Sequence, residues 1–334
     1  MTGEPIAPVG QISSELDGGE QVEVTRHVPV LVREVLEGLG VERGGLFLDC
    51  TLGGGGHSSA ILGAHPETTI VAVDRDMRAL GRARTRFQGE ERIVIHHGRF
   101  GDVARIVGVS GDGVVGVAAE GQQRFDGVLA DLGMSTDQLT EGRGFSFRDA
   151  LSLDMRMDEG EGLTAASLLN SSSMAELMRV LRLGGVGREV SRIANEILRS
   201  RPIESGQMLA DLVARVVPRT QGGSHPATVV FQALRIAVNR EWEEIDSLLQ
   251  AVPRMMKPGG RLAIICFHSL EDQRVTRQLR QWAAGDTAPA SRTDMRRERP
   301  IGRLLTKHAV EPRPEEVQAN SASRSARLRV FEFF

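Results

Sequence analysis

Four consecutive glycines, Gly53-Gly54-Gly55-Gly56, join an apolar stretch, Gly45-Leu46-Phe47-Leu48-Asp49-Cys50, to a helix-prone one that opens at Ser58. A second apolar run, Thr69-Ile70-Val71-Ala72-Val73, ends on Asp74. This is the order of a nucleotide-binding βαβ unit. Glycines let the backbone approach a ligand closely, and an acid at the end of the second strand receives ribose hydroxyls. The dinucleotide fingerprint G-x-G-x-x-G/A fails, because Ser58 stands where its third glycine belongs. A helix start in this place can hold a pyrophosphate, and the same loop suits an adenosyl ligand without phosphate. The remaining alternative is a tight turn followed by an ordinary strand-end Asp.

The alternation continues. Met77 to Phe87 has helical spacing with an Arg-rich face, and Ile93-Val94-Ile95 and Phe125 to Ala130 are further short apolar runs. Strand, helix, strand, helix implies right-handed βαβ units around a parallel sheet, an α/β fold. The Gly- and Val-rich stretch 108–124 reads as a loop or hairpin. From about Thr140 to Gly223 the strand signal vanishes, and 174–183, 188–200 and 207–217 carry helical spacing. This reads as an all-helical insertion. A long helix over about 226–251, a turn at Lys257-Pro258-Gly259-Gly260, a strand Arg261–Phe267 and a last strand Leu328–Phe333 follow.

Composition narrows the function classes. The 334 residues carry 41 basic and 44 acidic side chains, a formal net charge of -3, so a uniformly basic nucleic-acid surface is excluded. All but Lys257 and Lys307 of the basic residues are arginines, and there is no tyrosine, a bias expected of GC-rich coding. The arginines matter only where they cluster. Residues 274–313 hold Arg274, Arg277, Arg280, Arg292, Arg296, Arg297, Arg299, Arg303, Lys307 and Arg313 against four acids, which reads as a phosphate stripe or as a solvated loop. Cys50 and Cys266 cannot make a disulfide framework or a Cys-rich zinc site. Asp154 and Asp158 make a poor metal pair, with Met155, Arg156 and Met157 between them, so no metal is expected. No apolar run approaches a membrane span, and the acidic residues 1–24 lack a signal-peptide core. They read as a disordered leader, and the expected compartment is the cytoplasm, with no membrane partner.

Asp131, ahead of Leu132-Gly133-Met134-Ser135, ends the fourth strand at the carboxyl edge, where doubly wound folds bind ligands. It could accept a hydrogen bond from a substrate amine, or simply cap a helix. His268 and Asp272 end a later strand at the same edge, where Ser269 followed by Asp272 also reads as helix capping. Arg235 and Asn239, four apart on one helix face, could meet substrate or serve the fold.

Eight motifs in order carry a resemblance over about residues 25–331: His27-Val28-Pro29-Val30-Leu31; Asp49-x-Thr-x-Gly-Gly-Gly-Gly-His57; Asp131-Leu-Gly-Met-Ser with Gln138-Leu139; Arg143-Gly-Phe-Ser-Phe147; Leu153-Asp-Met-Arg-Met-Asp158; His225-Pro-Ala-Thr228 with Phe231 to Ile236; Phe267-His-Ser-Leu-Glu-Asp272; and Ser325-Ala-Arg-Leu-Arg329. Together they resemble the RsmH (MraW) family. The resemblance implies a class I, Rossmann-like methyltransferase that uses S-adenosyl-L-methionine on N4 of a cytidine in the decoding region of bacterial 16S ribosomal RNA. It implies a first methyltransferase segment at 25–139, a helical insertion at 140–223 and a second segment at 224–334. It also implies cofactor contacts at Gly55, Gly56, His57, Asp74, Phe100, Asp131 and Gln138. Asp131 and His268 are the expected catalytic residues.

Many amino-methyltransferases follow the acid of the fourth strand with Pro-Pro-aromatic, which stacks the base; Leu132-Gly133-Met134 stands here instead. With tyrosine absent, the stacking ring must be Phe or Trp, and Phe145 and Phe147 are the candidates. Arg235 and Asn239 complete the expected substrate contacts. The chain departs from the family pattern at Gly54, Gly184–Gly187, Val229 and Ser321-Ala322. The expected partner is 16S ribosomal RNA within the small ribosomal subunit, with a homodimer left open. Other readings are a methyltransferase for a different RNA site or a protein, and a catalytically weak RNA-binding assembly factor.

Overall fold

The computed structural model describes residues 28–110, 113–114, 124–147, 152–217, 225–285 and 299–334. The leader at 1–24 and the Arg-rich stretch at 286–298 lie outside them. The helix α1 (Val32–Leu39) leads into β1 (Gly45–Asp49), α2 (Gly56–Ala64), β2 (Thr68–Asp74), α3 (Met77–Arg86), β3 (Ile93–His97) and the short α4 (Val103–Ile106). Within the stretch 108–124, β4 (Val109–Ser110) pairs antiparallel with β5 (Gly113–Val114) as a small hairpin, and residues 111–112 and 115–123 lie outside the described residues. Then come β6 (Phe125–Asp131) and α5 (Thr136–Thr140).

Among the described residues, four helices follow without a strand: α6 (Ala165–Ser171), α7 (Met174–Leu183), α8 (Val190–Arg199) and α9 (Gly206–Val216). The chain returns through α10 (Ala227–Asn239), α11 (Glu241–Met255), β7 (Met256–Cys266), α12 (Ser269–Ala284), β8 (Gly302–Leu304), α13 (Pro314–Ala319) and β9 (Arg327–Phe333). The main sheet has seven strands in the order β3-β2-β1-β6-β7-β9-β8. The first five run parallel, and β9 runs antiparallel to both its neighbours. With the hairpin set aside, this is the α/β, Rossmann-like arrangement of class I methyltransferases. The order reverses between β1 and β6, so the crevice beyond their carboxyl ends is the ligand position.

Burial explains the layers. β1 and β6 are almost wholly buried because helices cover both sheet faces. One apolar cluster joins Leu48, Val71 and Val128 to α11 and α12, and another joins Phe47, Ile70 and Leu129 to α1, α2 and α3. A third is separate and helical, built on Leu169, Leu181, Ile193, Ile197, Leu209 and Val213. Ala227, Val230, Phe231 and Leu234 of α10 also pack into it, on the far side of the 223/224 boundary expected from sequence.

Two element expectations are corrected. The long helix at 226–251 is two helices, broken at Arg240, whose φ of 54° is left-handed. No Gly or Pro marks that break. The strand expected at Arg261–Phe267 begins earlier. Met256 pairs with Phe125 and Arg261 with Gly127, so the Lys257–Gly260 turn bulges out within β7.

Candidate active site

The loop between β1 and α2 forms one wall of a cavity that is also lined by Asp74, Phe100, Asp131, Ile245 and Phe267. Gly55 precedes α2 with a φ of 77°, and a Cβ there would lie 2.5 Å from the Phe87 ring. Both conditions demand glycine. At Gly56 a Cβ would press on Pro29 at 2.8 Å. The loop is held from below by Asp49, which accepts from Ser58 Oγ at 2.6 Å and from the Thr51 N–H at 3.1 Å. Burial pushes the Asp49 carboxyl up from its ordinary range.

Asp74 ends β2 facing the same cavity. Its oxygens accept from the Gly53 N–H at 2.6 Å and the Asp76 N–H at 2.8 Å. Burial and the nearby Asp76 and Asp49 carboxylates raise its titration to about 6, although the two N–H bonds oppose this. Asp131 ends β6, its N–H donating to Thr51 Oγ1 at 2.7 Å. Its Oδ2 lies 3.6 Å from His57 Nδ1, while Oδ1 is buried without a hydrogen-bond partner. Burial, reinforced by the charges of Asp49 and Glu271, lifts Asp131 to about 6 against the pull of His57. Val30 O can only accept, so the His57 Nε2 that lies 2.8 Å from it carries the hydrogen and Nδ1 faces Asp131.

A buried carboxylate with an unpaired oxygen in a cavity is a costly arrangement without a ligand. The donor set fits S-adenosylmethionine. Asp74 has acceptors for ribose hydroxyls, Phe100 and Ile245 give apolar walls for a purine, and Asp131 can receive an ammonium or amine. Gln138 lines this cavity, but its Nε2 donates to Asp76 at 2.9 Å and its Oε1 accepts the Ser135 N–H at 3.1 Å. It acts within a capping box for α5 and as a strut to Asp76.

The expected substrate residues lie elsewhere. Asn239 is 1% exposed. It receives the Met157 N–H at 2.9 Å and donates to Met155 O at 2.7 Å and to Arg235 O at 3.0 Å. Those bonds give it a structural position, the second of the two roles expected for it from sequence. Arg235 is likewise committed inward, forked onto Glu241 at 2.7 and 2.8 Å and 3.5 Å from Glu271. Phe145 is 6% exposed within the helical cluster, and Phe147 stacks on His225 at 5.2 Å and meets Phe231 edge-on. None of the four lines the cavity.

His268 also stands outside the cavity lining. It, rather than Ser269, caps α12, its Nδ1 accepting the Glu271 N–H. Glu241, His268 and Glu271 bring ligand atoms within 4.8 Å of one another. Arg235, however, puts its guanidinium against both carboxylates, supplying the positive charge that an ion would.

Sequence reasoning missed Asp76, Glu241 and Glu271. Asp76 is 1% exposed, caps α3 through the Arg78 N–H and receives Gln138 and Arg143. Two acids in Asp74-Arg75-Asp76 at a strand end were the available signal. Of the Arg-rich stretch, Arg274 is bound to Asp246 and stacks on Trp242, and Arg303 is bound to Glu332. Arg277 and Arg280 are exposed on α12.

The profile of the MraW methylase family matches residues 24–334. The chain belongs to that family. A relative in Cyanothece sp., named ribosomal RNA small subunit methyltransferase H, is 43% identical over 306 residues, covering 91% of this chain and 93% of its own. A relative of the same name in Methylorubrum extorquens is 43% identical over 329 residues, covering 96% of this chain and 89% of its own. Among solved structures, an rRNA methylase from Streptococcus thermophilus is similar at a TM-score of 0.37 and 11% identity, over 91% of this chain and 93% of that one. The fold assignment rests on the strand order rather than on that likeness. The cavity residues Gly56, His57, Asp74, Phe100 and Asp131 all fall within the span matched as a MraW methylase.

Proposed function

We propose that this chain transfers a methyl group from S-adenosylmethionine to N4 of a cytidine in the decoding region of 16S ribosomal RNA, acting on the small subunit in the cytoplasm. The observation that carries the reading is the unpaired Oδ1 of Asp131, buried at the carboxyl end of β6 in the cavity. The names of the relatives support a ribosomal substrate.

The exocyclic amine of cytosine is a weak nucleophile, because its lone pair is delocalised into the ring. Bound S-adenosylmethionine supplies an electrophilic methyl on a sulfonium. The residues must then orient the amine and localise its lone pair. Asp131 accepts an amine N–H, and its titration at about 6 suits a group that takes a proton and returns it near neutrality. Asp74 anchors the ribose. Phe267, which lines the cavity and lies 3.1 Å from where a Cβ on Gly133 would project, is the ring best placed to border the base. The target base must leave its stack to reach this depth.

The test offers labelled S-adenosylmethionine and small ribosomal subunits lacking the modification. Labelled N4-methylcytidine is expected on digestion of the RNA. Its absence, or label on another base, overturns the reading.

A further inference from the structure

The edge that holds Asp131 carries a second carboxylate. β6 and β7 are neighbours, with Asp131 in register with Ile265 and the Leu132 N–H donating to Ile265 O at 2.9 Å. Just past the end of β7 the chain turns into α12, and Glu271 in its first turn folds back over the strand end. Its Oε2 accepts from the N–H groups of Phe267 at 2.8 Å and His268 at 3.2 Å. Its Oε1 lies 3.0 Å from His268 Nε2 and 3.5 Å from the Arg235 guanidinium. His268 Nδ1 accepts the Glu271 N–H, and Nε2 is close to Oε1 but buried without a hydrogen-bond partner. Glu271 is 1% exposed, yet it lines the cavity together with Asp131.

We propose that Glu271 is a second catalytic carboxylate, which with Asp131 receives the acceptor amine and stabilises the positive charge arriving on its nitrogen. This rests on the methyl-transfer reading and assigns a further residue to it. The amine lone pair forms the new C–N bond as the C–S bond breaks with its electron pair left on sulfur. The nitrogen then carries the positive charge until its surplus proton passes to Asp131. Charge thus moves from sulfur to nitrogen, and a preorganised anion at the destination lowers the barrier.

The two carboxylates divide the work. Burial disfavours the charge on Glu271, but His268, Arg235 and the Phe267 N–H more than offset it and hold the carboxyl below its ordinary range. Asp131 is the group that titrates. It faces His57 from α2, Asp49 from β1 and Glu271 from α12. Arg235 is shared between Glu241 and Glu271.

Glu271→Gln, Glu271→Asp and Arg235→Gln test this beside the unsubstituted chain, each assayed on unmodified small subunits and for S-adenosylhomocysteine affinity. Glu271→Gln is expected to lower kcat by about a hundredfold while leaving that affinity within about twofold. The acid limb of its kcat–pH profile moves to lower pH, because Asp131 loses an anionic neighbour. Glu271→Asp keeps the charge, so the limb stays in place and part of the rate returns. Arg235→Gln leaves Glu241 and Glu271 uncompensated and moves the limb to higher pH. Should Glu271→Gln melt below the assay temperature, the other two variants decide. An unmoved limb in Arg235→Gln, a rate in Glu271→Gln matching the parent, or a loss of S-adenosylhomocysteine affinity as large as the loss of rate overturns the role of Glu271. If the parent itself forms no product, the methyl-transfer reading falls, and this one with it.

Discussion

Asp74 and Asp131 face one cavity and share an elevated titration of about 6, but they hold their oxygens differently. Both oxygens of Asp74 receive backbone N–H bonds, whereas Asp131 Oδ1 receives none. An Asp in an unfolded chain titrates near 3.9, so the ligand-free fold holds the Asp131 proton more tightly than the unfolded chain does. Stability therefore falls as pH rises from about 4 to about 6, with the whole penalty present above that. Asp131→Asn removes the penalty at little cost in hydrogen bonds. The ligand-free variant is expected to melt a few degrees above the parent at about pH 7.5, the gap closing as pH falls from about 6 toward about 4. On the proposed role of Asp131 as proton acceptor, its kcat should drop by about a hundredfold or more. A variant that melts lower than the parent at neutral pH, or keeps full turnover, contradicts this assignment. Asp74 carries a separate expectation. If Asp74 receives the ribose hydroxyls in its ionised form, as proposed, the dissociation constant of S-adenosylhomocysteine should be flat above about pH 7 and rise about tenfold per unit below about 6. Calorimetry across that range checks it.

Among the elements, the junction of α10 with the segment at 155–157 decides between two accounts of Asn239. Its side chain satisfies the Met157 N–H and Met155 O, and Met155 sits at a φ of 60°. Asn239→Ala leaves both backbone groups buried and unpaired, at about 1–3 kcal/mol each. A loss of about 2–6 kcal/mol in denaturant unfolding is therefore expected. A variant of parental stability with a raised KM for RNA would restore the substrate-contact account. Sequence periodicity could not separate the two, because Arg235 and Asn239 share a helix face whether that face meets RNA or protein. The same limit explains the single helix expected over 226–251. Apolar spacing continues across Arg240, and a left-handed residue that is neither Gly nor Asn leaves no mark in composition. By contrast, β1, the glycine loop and β2 were legible, because buried parallel strands and a tight turn each demand particular residue types. Asp131 was legible as a strand end. The commitments of Gln138, Phe145 and His268 were not, since each depends on partners distant in sequence or on one-residue cap register.

At the scale of the whole molecule, the sheet and the helical cluster meet through polar contacts. Asp76 joins them. Its N–H donates to Asp74, and its carboxylate binds Gln138 and Arg143. Burial resists its charge, but Gln138 and Arg143 bring the carboxyl below its ordinary range. Arg143 goes on to Met157 O at 3.2 Å, and its own carbonyl receives the Met155 N–H at 2.8 Å. From that segment the Ala165 and Ala166 N–H groups bond back to Asp154 O and Leu153 O at the start of α6. Asp74 is thus linked, through Asp76 and Arg143, to α6. Cofactor that stabilises the ionised Asp74 and orders its neighbours should then slow hydrogen exchange at Ala165 and Ala166, although neither lines the cavity. Arg143→Met breaks the link and leaves Asp76 as an uncompensated buried charge, a loss of about 3–5 kcal/mol. In that variant, S-adenosylhomocysteine should still protect amides around Gly53 and Asp74 but no longer those of Ala165 and Ala166. Exchange measured by mass spectrometry on peptides covering 152–170 reads the difference. Equal protection there in parent and variant would mean that the insertion senses the cofactor by another route, or not at all.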